Sequence, residues 1–194
     1  MSQCLIYDYE TLGQNPNTAP ILSIALYAFD DQKLSELTLE DIVSNCSMYK
    51  FDVAEQITKY NKVICPATVE WWSKQSKSAQ AVLDPSEDDV SIEELPNMFQ
   101  RMMNVPAERV YTRGNTFDPI FTTQVCRDID VAEPYPWWTI RDTRSLIEGM
   151  SYGSNIRNTF MPPSVKESDV VLHDPRYDIA LDVLRIAALI AALT

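Results

Sequence analysis

Asp8-Tyr9-Glu10 closes a short β-rich run, and residues two apart on a strand share one face. The two carboxylates therefore point the same way, roughly 7 Å apart along the chain. Held so close, they repel each other unless a cation or protons intervene. A solvated sheet edge would relieve that repulsion with no further role. Against it, Asp8 continues the face of Cys4 and Ile6, which read as buried, and a carboxylate on an apolar face needs a partner. Thr11-Leu12-Gly13 then gives a sharp exit where backbone N–H groups can meet a ligand.

A second group is Arg113-Gly114-Asn115-Thr116-Phe117-Asp118-Pro119. Asp118 before Pro119 suits an N-cap followed by the first helical residue, and capping alone would account for it. Gly114, directly after a short strand, permits close approach to the backbone. A third group, His173-Asp174-Pro175-Arg176-Tyr177-Asp178, holds the one histidine of the chain. With Asp174 as N-cap and Pro175 as first helical residue, His173 and Asp178 take the positions that face each other across a helix entry. By itself that pair could simply stabilise the helix start. Together the groups supply four carboxylates, Asp8, Glu10, Asp118 and Asp178, and one base, His173. Oxygen donors with no Cys ligand suit Mg²⁺ or Mn²⁺ rather than structural zinc. Two such ions about 4 Å apart are a standard device for in-line displacement at phosphate.

The elements that must position these groups follow from periodicity. Strands are expected over 4–9 and 20–29, joined by a turn holding Gly13, Asn15, Pro16, Asn17 and Pro20. A polar stretch over 30–42 leads to a third strand over 47–51, which completes an antiparallel meander. From Pro66 the pattern turns helical, with Val69, Trp72, Ala79 and Leu83 on one face. Residues 84–89 form an acidic turn, and 92–103 is helical with Leu95, Phe99 and Met103 in step. A strand over 109–112, a helix opening after Asp118-Pro119, a strand over 137–141 and a helix over 143–148 follow. Residues 152–168 read as irregular. The last helix runs from Asp174-Pro175 to the chain end, with Ile179, Val183, Ile186 and Ala187 or Ile190 inward. Strands first, then strands alternating with helices, predict an α/β fold: a mixed sheet with an antiparallel edge and a parallel centre, flanked by helices.

Composition narrows the function. The 194 residues suit one domain spanning 1–194. Sixteen basic against 28 acidic residues leave a net charge of -12, which argues against non-specific electrostatic binding to DNA, RNA or acidic lipid. A local site where bound cations reverse the field is not excluded. Cys4, Cys46, Cys65 and Cys126 form no CxxC pair, so zinc and thioredoxin-type sites are not expected. Reduced thiols in a cytosol are the expectation. The apolar stretch 186–193 is too short to span a bilayer, so no membrane partner is expected.

The three groups, in this order, resemble the motifs of the DEDD superfamily of 3′→5′ exonucleases in its DEDDh branch, on a ribonuclease H-like fold. The first motif matches as Asp8-Tyr9-Glu10-Thr11, the second as Asn115-Thr116-Phe117-Asp118, and the third as His173 with Asp178. Ala67-Thr68-Val69-Glu70-Trp71-Trp72-Ser73-Lys74-Gln75 is similar to the phage exonuclease A group and related small bacterial exoribonucleases. The resemblance implies a cytoplasmic enzyme of a bacterium or a phage-infected host cell. It implies hydrolysis at a free 3′ end of single-stranded DNA or RNA, releasing nucleoside 5′-monophosphates with two ions, Mg²⁺ or Mn²⁺. Asp8 would bridge both ions, Glu10 and Asp178 would complete one, and Asp118 would hold the other. His173, neutral, would take the proton from the attacking water. Homodimers occur in related families.

For substrate contacts, Thr11 and Leu12 resemble the positions beside the terminal nucleotide, with Asn115 in the second motif. Phe117 packs near the base or belongs to the core, with core favoured. Trp72 continues the apolar face of its helix, whereas Trp71, about 100° around, either stacks a base or is a half-buried structural residue. Arg141 and Arg144 are candidate phosphate contacts unless they are ordinary surface arginines. Two other readings stand beside the exonuclease. Asp8-Tyr9-Glu10-Thr11 is loosely similar to the DxDxT of HAD-type phosphohydrolases, although Glu10 weakens that match. A non-catalytic nucleic-acid-binding module on the same fold is the other.

Overall fold

The structure, a computed structural model, describes residues 3–103 and 106–193. One mixed sheet has the order β3-β2-β1-β4-β5, with β1 at Gln3–Thr11, β2 at Ile21–Asp30, β3 at Ser47–Lys50, β4 at Arg109–Thr112 and β5 at Ile140–Asp142. β1–β2 and β2–β3 are antiparallel, and β1–β4 and β4–β5 are parallel. The expected antiparallel start and parallel continuation are both present. The α-helices are α1 (Leu39–Asn45), α2 (Val53–Tyr60), α3 (Pro66–Trp72), α4 (Lys77–Gln80), α5 (Leu95–Met102), α6 (Asp118–Asp128), α7 (Thr143–Met150) and α8 (Pro175–Leu193).

β1 is apolar on both faces because helices cover both. Cys4 and Ile6 enter the core beneath α8, which also holds Ile42 of α1 and Ile147 of α7. Leu5, Tyr7 and Tyr9 enter the opposite core, with Phe99 of α5 and Phe121 of α6. Asp8 and Glu10 thus lie on the α8 side, at the carboxyl end of the strand. α8 is buried at every position from Ile179 to Ile186, since it fills the groove between the sheet, α1 and α7. Farther along, Leu189 is buried and Ala187, one of the two alternatives expected inward, packs against the core, whereas Ile190, the other, is 41 % exposed. Thr194, in the expected run to the chain end, lies outside the described residues.

Other departures have local causes. The continuous helix expected from Pro66 is two short ones. Ser76 accepts the Ala79 N–H as N-cap of α4, and Ser73 turns its hydroxyl back to the Glu70 carbonyl, so serine side chains compete with the helix. Val69 is exposed, and Val82 joins Leu12, Leu22, Trp72 and Ala79 in a small core against which Leu83 packs partly buried. α2 has no counterpart in the sequence reading. Its buried face is led by a polar residue, Gln56, whose amide bonds both the N–H and the carbonyl of Ile21 at 2.8 Å. The polar stretch over 30–42 contains a 3-10 helix (Asp31–Glu36) and the start of α1, opened by a Thr38–Asp41 capping box. The strand expected over 137–141 is shorter. Trp137–Thr139 is a 3-10 turn with both indoles exposed, and pairing begins at Ile140.

The exit from β1 is tight. Pairing with β2 shifts register between Glu10 and Thr11, the kind of irregularity that re-aims a strand end. The Leu12 N–H bonds the Pro20 carbonyl at 3.0 Å, and the Cys65 N–H bonds the Leu12 carbonyl at 2.8 Å. At Gly13 a Cβ would come 2.8 Å from the Cβ of Ala19 and 3.3 Å from that of Cys65, neither of which can rotate away. Gly13→Ala should therefore destabilise the fold by about 1–3 kcal/mol, the usual cost of overpacking. Urea unfolding checks this; an unchanged midpoint would mean that the turn opens freely.

Candidate active site

Five side chains from separate parts of the chain meet at the carboxyl ends of β1 and β4. The sheet places Asp8 and Glu10 there. α6 supplies Asp118 at its first residue, and the entry to α8 supplies His173 and Asp178. Ligand atoms of Glu10, His173 and Asp178 lie within 4.8 Å of one another. Asp118 is 2 % exposed, and its Oδ1 accepts the Tyr9 N–H at 3.2 Å, so it is bound to β1 between the other two acids. It does not cap its own helix. The N-cap position is Phe117, and no side-chain capping bond is made there, which removes the simplest account of Asp118. Below it, the Thr122 hydroxyl bonds the Asp118 carbonyl and the hydroxyls of Tyr7 and Tyr9, a polar floor inside an otherwise apolar core.

The α8 entry folds as its sequence indicates. Asp174 is the cap, its Oδ1 accepting the Arg176 N–H at 3.1 Å, and Pro175 is the first helical residue. His173 adopts a left-handed backbone, φ 63°, which turns the chain into the helix. Gly114, at φ 124°, makes the corresponding turn out of β4, a conformation that favours glycine.

Electrostatically, this is a site short of positive charge. Burial raises the Asp8 carboxyl well above the usual range, and Asp118, Asp178, Glu10 and Asp182 each add to the rise. Burial, then Asp178 and Asp118, push Glu10 up to about 9. Burial likewise pushes Asp118 and Asp178 up to about 7. Burial lowers the His173 imidazole, which favours its neutral form. Ser23, the cross-strand partner of Glu10, is fully buried with no hydrogen-bond partner for its hydroxyl. Clustered carboxylates, an adjacent imidazole and an unsatisfied hydroxyl fit a divalent cation with oxygen-rich coordination.

A further buried charge escapes the sequence reading. Asp182, one turn after Asp178 on α8, is 1 % exposed. Its carboxylate accepts from the guanidinium of Arg113, from Arg185 Nη1 at 2.8 Å and from the Thr143 hydroxyl. Arg113 also donates to the Asn158 carbonyl at 3.2 Å. The signal is available in Asp178 and Asp182, four apart on one helix face, with Arg185 at the next i+3 position. It is obscured because buried ion pairs look like any solvated helix face in sequence.

Beside the acids a cavity of about 470 Å³ is lined by Glu10, Thr11, Gln14, Thr68, Trp71 and Phe117, among others. Of the expected substrate contacts, Thr11, Trp71 and Phe117 are on it. Thr11 donates its hydroxyl to the Gly13 carbonyl at 2.7 Å, and Phe117 also packs on Phe121. Leu12, Asn115 and Arg141 are placed elsewhere. Leu12 is in the small core with Trp72, and the Asn115 N–H bonds Asp142 at 3.2 Å. Arg141 donates to the carbonyls of Trp138 and Ile140 at 2.8 Å, on the edge strand. Trp72 is core, as expected, and its indole N–H bonds the Thr11 carbonyl at 3.1 Å. Among the described residues no helix is long and apolar enough to cross a membrane.

Comparison with known proteins agrees with this geometry. The exodeoxyribonuclease of enterobacteria phage T4 is 28 % identical over 197 residues, covering 92 % of this chain and 85 % of the phage protein. The zinc-bound complex of E. coli ExoI with single-stranded DNA superposes with a TM-score of 0.66 at 15 % identity, covering all of this chain and 41 % of that one. Exonuclease I of Methylocaldum szegediense gives a TM-score of 0.65 at 16 % identity, with 99 % and 41 % covered. These likenesses identify the ribonuclease H-like fold, and the chain spans about two fifths of the length of the Exonuclease I chains. A family model matches residues 3–180, nearly the whole chain, so the chain belongs to the 3′-5′ exoribonuclease Rv2179c-like domain family.

Proposed function

We propose that this domain removes nucleoside 5′-monophosphates one at a time from the 3′ end of single-stranded nucleic acid, using two divalent cations, Mg²⁺ or Mn²⁺. The observation that carries the reading is the convergence of Glu10, His173 and Asp178 within 4.8 Å, beside Asp8 and Asp118. Asp8, which senses all three other acids, would serve both ions, with Glu10 and Asp178 on one and Asp118 on the other. Cations held there would offset phosphate charge and acidify a bound water. His173 is the general base. It lies within reach of Glu10 and Asp178, its burial favours the neutral imidazole, and it accepts the proton that the attacking water loses. The terminal nucleotide sits in the 470 Å³ cavity, its base against the half-exposed Trp71 and Phe117. Single strands fit this arrangement because a base must leave its stack to enter. The family is named for an exoribonuclease and the phage relative is an exodeoxyribonuclease, so the proposed substrate class includes both RNA and DNA.

The deciding experiment is digestion of end-labelled single- and double-stranded DNA and RNA with Mg²⁺, Mn²⁺ or EDTA. Single strands should shorten from the 3′ end with either metal and stay intact in EDTA; shortening from the 5′ end, or metal-independent cleavage, would falsify the reading. His173→Ala should lower kcat about 10²- to 10⁴-fold, the usual weight of a general base, while calorimetry shows Mn²⁺ still bound. Asp8→Asn should weaken Mn²⁺ binding and turnover together; intact Mn²⁺ affinity in that variant would remove Asp8 from the metal set.

Stability in EDTA should depend on pH in a definite direction. Glu10, Asp118 and Asp178 hold their protons more tightly folded than unfolded, so the folded chain is favoured below the ordinary carboxylate range. That contribution is lost as pH rises through about 7 for the two aspartates and about 9 for Glu10. The thermal midpoint without metal should therefore fall from pH 5 to pH 9, and Mn²⁺ should restore most of the loss by binding the folded state alone. A midpoint in EDTA that rises over that range would show the acids to be paired some other way.

A further inference from the structure

The base proposed above has no orienting hydrogen bond. Catalytic histidines are commonly held by a carboxylate or carbonyl on the second ring nitrogen, yet among the described residues no hydrogen bond fixes the His173 imidazole. Two indoles hold it instead. The Trp71 ring centroid is 4.7 Å from that of His173 with the planes at 80°, and Trp72 is 6.4 Å away at 77°. Trp72 is immobile, fully buried with its N–H bonded to the Thr11 carbonyl. Trp71 packs edge-on against Trp72 at 5.1 Å and is 41 % exposed, so its other side is open to the nucleotide cavity. On a further side of His173 lies a separate cavity of about 200 Å³, lined by Ala79, Val82 and Arg176 among others. The imidazole therefore has open space on that side, and on the side of the nucleotide cavity its ring contact is Trp71.

We propose that Trp71 is a positioning residue for His173 and that it couples seating of the terminal base to placement of the general base. A base stacked on the exposed side of Trp71 presses the same indole whose edge meets the imidazole. A nucleotide that leaves the cavity half-filled would leave Trp71, and hence His173, less constrained. This assigns Trp71 a role in turnover as well as in binding. It rests on the exonuclease reading and on His173 as its base.

The chain has one histidine, so its imidazole Hε1 gives a single resonance that needs no assignment. Trp71→Ala should shift or broaden that resonance and lower kcat on a single-stranded oligonucleotide about 10- to 100-fold, the scale of a misplaced catalytic group. Mn²⁺ binding by calorimetry should be unchanged. Trp71→Phe, which keeps a ring in place, should return kcat to within about threefold of the wild type. Far-UV circular dichroism and the thermal midpoint confirm that both variants are folded. If Trp71→Ala leaves kcat or the Hε1 resonance unchanged and only raises KM, Trp71 is a stacking surface and the proposal is overturned. Turnover unaffected by His173→Ala would instead remove the base itself, and this inference with it.

Discussion

Carboxylates that share a partly buried pocket destabilise one another, and the architecture is organised around keeping Asp8, Glu10, Asp118 and Asp178 together in spite of that. Burial and mutual repulsion both raise their proton affinity, so without a cation the site retains protons near neutrality. The fold cannot relieve the strain by separating the acids, because each is anchored. Asp8 and Glu10 pair with Ala25 and Ser23 of β2, Asp118 is bound to the Tyr9 N–H, and Asp178 is in the first turn of α8. Divalent cations are the counter-charge this geometry lacks. The same acids that would hold the ions make the metal-free pocket costly, so affinity for a cation and the instability of the pocket without one would have one origin.

The Asp182 network shows how the surrounding protein limits that cost. It joins the end of β4, the start of α7 and the middle of α8 through one buried carboxylate. Arg113 immediately precedes the loop to Asp118, and Asp182 is one turn beyond Asp178, so this single group fixes the distance between two acids that are 60 positions apart in the chain. Arg185 favours the ionised form of Asp178, although the Asp182 carboxylate opposes it with the larger effect, so the network's main contribution is to hold the elements in place. Removing one partner of such a buried pair typically costs about 3–5 kcal/mol, because the other charge is stranded.

What the sequence discloses and what it conceals divide along physical lines. The two acids on β1 are legible because strand periodicity puts them on one face, and the helix starts at Asp118 and Pro175 are legible from the Asp-Pro pairs. The mixed character of the sheet follows from the succession of apolar runs. α2 is hidden because Gln56 is buried in place of an apolar residue, bonding the backbone of Ile21 where β2 begins. The break between α3 and α4 is hidden because Val69, Trp72 and Ala79 keep helical spacing across a serine-bounded turn. Asp182 is hidden because a charge has the same letter whether it is solvated or paired. In each case the missing information is which polar groups are taken out of water, and periodicity of apolar residues does not carry it.

That distinction bears on how an acidic chain can act on a polyanion. With a net charge of -12, long-range attraction to a phosphate backbone is absent, and among the described residues lining the nucleotide cavity none is a lysine or arginine. Recognition is left to two short-range sources. One is the aromatic surface of Trp71 and Phe117, which stacks any base and reads no sequence. The other, on the proposed two-ion reading, would be the cation pair, whose charge would be confined to the few ångströms where the terminal phosphate must sit. A domain built this way has no purchase on the middle of a strand or on a duplex. On the proposed reading it would engage a nucleotide only where a base can unstack into the cavity while its phosphate reaches the metals, and a free end of a single strand satisfies both conditions at least cost.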